Sequence, residues 1–98
     1  MESLKQSVNN ATKLEELNNI YLPNPTKERR QQAITAFANK VTELPEFDEI
    51  LEEIESYQFE FDTDLNDAIC TISNEHNFKG LLRAAVHYAA SFILSYYQ

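Results

Sequence analysis

Asp62, Asp64 and Asn66 stand at alternate positions, the spacing at which a helix-flanked calcium loop presents its first three oxygen ligands. The rest of such a loop is missing. Its sixth position is Asp67, where the sharp turn needs glycine, and its twelfth is Ser73, where a glutamate should bind with both oxygens. These side chains are read instead as helix caps. Cys70, His76 and His87 are the soft and imidazole ligands of the chain, too few and too far apart for a zinc site. A reactive thiolate needs positive surroundings, whereas Cys70 lies in a strongly acidic stretch beside Ile69 and Ile72; it is read as small core filler. Carboxylate pairs are frequent, but general acid–base work needs two of them held across a cleft in differing environments. Gly80 is the sole glycine, so no glycine-rich loop can cradle a phosphate. No catalytic residue, metal or cofactor is assigned, and the chain is not read as an enzyme.

The carboxylates make a stronger pattern as a group. Of sixteen acidic residues, twelve fall between Val41 and Phe78, a stretch without lysine or arginine. That middle carries −12 and the flanks +4, which gives the net charge of −8. Such a field repels polyanions and attracts basic surfaces, which argues against direct nucleic-acid binding and for a basic protein partner. A solvated surface that only keeps the protein soluble is the plainer account. Ordinary exposed faces interleave the two signs, however, and this one does not. The residues assigned to docking are Glu46, Asp48, Glu49, Glu52, Glu53, Glu55, Glu60, Asp62 and Asp64, within residues 43–67. Tyr57 and Phe59, with Phe61, supply aromatic anchors of the kind that dominate interface energies, unless they serve the core. Lys27, Arg29 and Arg30 beside so acidic a segment make a poor nucleic-acid footprint and are read as solvated surface.

These residues need a scaffold, and composition narrows it. Ninety-eight residues suit one domain, 1–98, with residues 1–11 as a fraying N-terminus, able to bury roughly two thirds of its unfolded surface. At 43 % hydrophobic with eleven aromatic residues the chain is too apolar for a disordered acidic tail. A lone cysteine and a start, MESLKQSVNN, with no apolar signal core point to the cytoplasm. No membrane span is expected: the apolar run after Leu81 is interrupted by Arg83 and His87 and falls short of about 20 apolar residues.

With one glycine and three prolines there are few turns for a β fold, and the expected class is all-α, a compact bundle of four to five helices around a hydrophobic C-terminal helix. Thr12 and Glu15 form a capping-box pattern ahead of Leu14, Leu17 and Tyr21. Pro23 ends that helix, and Asn24 with Pro25 is read as cap and first position of the next. Ile34, Phe37, Val41 and Leu44 give it an apolar stripe. Leu44 before Pro45 marks a break, followed by a helix burying Phe47, Ile50, Leu51 and Ile54. From Ser56 to Asp62 the aromatics Tyr57, Phe59 and Phe61 alternate with Gln58 and Glu60, which predicts an extended crossing over the end of the bundle. Asp62 or Thr63 caps a helix with Leu65, Ala68, Ile69 and Ile72, and Asn74 to Asn77 interrupts before the last helix.

In that last helix Arg83, His87, Ser91, Ser95 and Gln98 form one narrow polar stripe and the remaining circumference is apolar. Such a helix must be covered on most sides, by its own chain or by a second copy. Two functions follow. The leading one is a small acidic binding protein that occupies a basic surface of a protein partner, as an inhibitor, an immunity or antitoxin-like factor, or a nucleic-acid mimic does. The alternative is a structural or adaptor module that self-associates as a homodimer through Ala85, Ala89, Phe92, Ile93 and Tyr96.

Overall fold

The computed structural model describes residues 3–96, which form six helices; Gln98, the last member of the expected polar stripe, lies outside the described residues. They are α1 (Leu4–Asn10), α2 (Leu14–Asn18), α3 (Lys27–Glu43), α4 (Pro45–Phe61), α5 (Leu65–Glu75) and α6 (Gly80–Tyr96). The class is all-α, as the composition predicts; the count exceeds the expected four to five because two short helices precede α3.

Each start has an identifiable cause. The capping box lies at Ser3 and Gln6: the Ser3 hydroxyl accepts the Gln6 amide at 3.2 Å, and Gln6 Oε1 accepts the Ser3 amide at 3.1 Å. Thr12 and Glu15 do not form one. The Thr12 hydroxyl instead donates to Glu16 Oε1 at 3.0 Å, and Lys13 stands at the N-cap of α2 without a side-chain bond. Thr26, not Asn24, caps α3 by accepting from the Arg29 amide at 3.1 Å, while Asn24 takes a left-handed conformation at φ 37°. Leu44 ends α3 and opens α4 in extended geometry, ψ 132°, which the ring of Pro45 requires of the residue before it. Asp64, one residue beyond the expected cap, accepts from the Asp67 amide at 2.8 Å and starts α5. Gly80 opens α6 at φ +48°, where a side chain would be strained.

The expected extended crossing does not exist. α4 runs through Ser56, Tyr57, Gln58 and Phe59 to Phe61 and stops at Asp62, whose φ of 51° is a left-handed C-cap. Tyr57 and Phe61 are four apart, one helical turn, and their rings lie 4.6 Å from centroid to centroid. Phe59 falls on another side, 92 % exposed. Over five residues the alternation of two and the helical repeat of four share their end points, and the continuing run of good helix formers decides for helix.

α3 and α6 are the central pair; α5 packs on both α6 and α4, α1 on α3, and α2 on α6. One continuous core takes Val8 from α1, Leu17 from α2, Phe37 and Val41 from α3, Phe47 and Ile54 from α4, Ile69 from α5, and Leu82 and Val86 from α6. The stripe predicted for α3 is buried, as are Phe47, Ile50 and Ile54 of α4; Leu51 is half-buried. Tyr21 does not join Leu14 and Leu17, because α2 ends at Asn18 and Tyr21 lies 81 % exposed in the following loop. Asn18 clamps the α5–α6 turn from α2: its Nδ2 donates to the Asn77 carbonyl at 3.0 Å and its Oδ1 accepts the Lys79 amide at 2.9 Å. Lys40 donates to the Asn9 carbonyl at 2.9 Å and fastens the end of α1 to α3.

Candidate docking groove

The twelve carboxylates between Val41 and Phe78 are all exposed. α4 packs against α5, Ile54, Ile69 and Ile72 belong to the core beneath them, and the outward faces of the two helices leave a groove of about 880 Å³. Glu49, Glu52, Glu53 and Glu60 line it from α4, with Glu75 from α5 and His76 from the turn beyond. Tyr57, Phe61 and Ile72 give it an apolar floor. Helical spacing explains the wall: positions 49, 52, 53, 56 and 60 recur at three and four and share one face of α4.

The docking residues read from the sequence therefore divide. Glu49, Glu52, Glu53, Tyr57 and Glu60 come together at the groove. Asp48, Glu55 and Phe59 are exposed but do not line it; at spacings of seven and four they share a separate stripe of α4. Glu46 reaches from the first turn of α4 to α2, where its Oε1 accepts the Leu14 amide at 3.0 Å. Asp62 and Asp64 are held at helix ends, as the left-handed C-cap of α4 and the N-cap of α5. Among the described residues no three His, Cys, Asp or Glu side chains are arranged to hold a metal ion.

Two further members of the groove are not among the docking residues expected from the sequence. Glu75 and His76 stand at the far end of α5 and reach the groove only because the helix turns back at Asp62 to run against α4. His76 Nε2 lies 2.6 Å from Glu53 Oε2, and its ring stacks on Phe78 at 5.3 Å between centroids. Among the described residues the ion pairs are this one and Lys40–Glu43. Glu49, Glu52, Glu60 and Glu75 thus project without a lysine or arginine of their own chain to neutralise them, and their mutual repulsion is relieved only by solvent, salt or an incoming cation.

The self-association residues also divide. Ala85 and Ala89 are buried in the chain's own core and are not on an outer face. Phe92 and Tyr96 are 69 % and 76 % exposed, and Ile93 is half-buried. Tyr88, which the sequence reading did not single out, joins them at 61 % exposure. His87 is half-buried beside it, and Cys70 is half-buried on α5.

Fold and surface together define an all-α helical bundle with an acidic groove on one side. The chain matches no family model, no curated protein and no solved structure. Among the described residues no helix is long and apolar enough to cross a membrane.

Proposed function

We propose that this is a small cytoplasmic, non-enzymatic binding protein that docks its acidic segment on a basic surface of a protein partner. One observation carries the reading: among the described residues, four groove carboxylates on two helices form no ion pair with a lysine or arginine, beside the apolar side chains of Tyr57, Phe61 and Ile72. A lysine- or arginine-rich segment satisfies the walls, and an apolar side chain in its midst satisfies the floor. Charge then supplies fast, salt-sensitive association, and burial of the aromatic floor slows release. Inhibitors, immunity or antitoxin-like factors and nucleic-acid mimics operate on this physical plan.

The experiment is capture of partners on immobilised protein at low salt, followed by a salt gradient. A discrete basic protein that leaves at moderate salt, and that the triple reversal Glu49→Lys, Glu52→Lys and Glu53→Lys fails to retain, supports the proposal. No salt-dependent partner, or retention unaffected by the reversal, refutes it.

A further inference from the structure

We infer that the outer face of α6 is a self-association surface on which a second copy of this chain seats its own α6 about a two-fold axis. Tyr88, Phe92 and Tyr96 follow at intervals of four and stand one above another on that face, each more than half exposed. Two shallow depressions flank the ridge. One is bounded by Ala84, His87 and Ser91 of α6; the other, of about 320 Å³, reaches Ala38, Asn39 and Thr42 of α3. A projecting aromatic ridge and a hollow able to take an aromatic side chain thus lie on the same face, the self-complementarity a two-fold contact requires.

Charge selects the second copy as occupant. Neither depression is lined by an aspartate, glutamate, lysine or arginine, in a chain of which 24 % is charged. Two copies of net charge −8 repel one another overall, and most strongly through the acidic middle of the chain. A two-fold contact also sets each residue near the axis against its own image, so any patch on α4 would oppose carboxylate to carboxylate. The α6 face is where copies meet without that penalty. Apart from His87 it offers a charged partner nothing to pair with.

The area is that of a weak contact, which calls for the high concentrations of the test. At about 150–250 Å² per aromatic side chain, the exposed parts of the three rings amount to roughly 400 Å² on each copy. That is about half of the ~800 Å² each partner contributes to a standard interface, and the uncharged surface of α3 and α6 around the ridge extends it. The inference does not rest on the acidic groove, which lies on α4 and α5.

The test is sedimentation equilibrium of the whole chain from micromolar to near-millimolar concentration, at low salt and at about 1 M salt, where screening shortens the range of charge to about 3 Å. The expected result is a dimer whose mass holds or grows at high salt. Phe92→Glu, which sets a carboxylate against its image, should leave a monomer throughout with unchanged helical content and melting temperature. Tyr88→Ser should weaken association at least tenfold and serves if the first variant folds poorly. A monomer under all conditions, a dimer that salt dissolves, or one that survives both substitutions overturns the inference.

Discussion

Glu46 Oε1 accepts the Leu14 amide at 3.0 Å, so a carboxylate from the first turn of α4 caps the N-terminus of α2 across thirty-two residues of sequence. Lys13, at the N-cap itself, has no side-chain bond to offer, and the long-range contact supplies what the local sequence lacks. Glu46→Ala should therefore cost about 1 kcal/mol, the usual worth of a helix cap, and lower the melting temperature by roughly 4–8 °C for a chain of this size. Glu46→Gln keeps an acceptor oxygen and should cost clearly less. Thermal melts of the two variants decide the matter; equal losses would mean that the charge of Glu46, not its hydrogen bond, is what α2 uses.

Phe47 and Phe59, in the first and last turns of α4, should behave as opposites. Phe47 is buried in the core, and Phe47→Ala should cost about 3–5 kcal/mol in chemical denaturation. Phe59, almost wholly in solvent, should change stability by less than about 0.5 kcal/mol on truncation. A large loss from Phe59→Ala would show that the ring is covered in solution, and would contradict the helical path of α4 past Ser56.

Net charge and groove geometry make separable predictions for partner capture. Glu49→Lys with Glu52→Lys changes the charge of the groove wall; Asp48→Lys with Glu55→Lys changes the net charge by the same amount on a different stripe of the same helix. Exposed pairs are worth up to about 1 kcal/mol each, so a groove reversal should weaken affinity roughly fivefold or more. The flank reversals should have a smaller effect that vanishes as salt rises. Equal effects of both sets, read as the salt concentration of elution, would leave the overall field and not the groove as the docking determinant.

How far the sequence reveals these features depends on how local their causes are. The buried stripe Ile34, Phe37, Val41 and Leu44, and the break at Pro45, follow from spacing and from the proline ring, and both stand in the structure. The position of the α2 cap is not local, since Glu46 that caps it comes from another helix. The groove is half legible: Glu49, Glu52, Glu53 and Glu60 share a face by helical spacing alone, but Glu75 and His76 enter it only through the reversal at Asp62. The misread span from Ser56 to Asp62 shows the limit of periodicity in a short window, where Tyr57 and Phe61 fit both repeats and Phe59 alone separates them. Ala85 and Ala89 show another limit. An all-round apolar helix reveals that something must cover it, not which side its own chain leaves open.

The contact between His76 and Glu53 ties the turn after α5 to the middle of α4. The two side chains are about equally exposed, at 37 % and 43 %, so solvent screens the pair and its coupling should be modest, about 0.2–1 kcal/mol in a double-mutant cycle. His76→Ala removes more than that coupling, because the ring also stacks on Phe78, itself buried at the start of the segment leading into α6. Glu53→Ala, by contrast, loses the pair but relieves repulsion from Glu49 and Glu52 at the same wall, and should be nearly neutral for stability. The single substitutions and the double, measured by denaturant unfolding at low and high salt, should give a coupling that shrinks with salt and a larger single effect for His76. A single effect of Glu53→Ala equal to that of His76→Ala would place the fastening of α5 in the ion pair and remove the role given to the stack on Phe78.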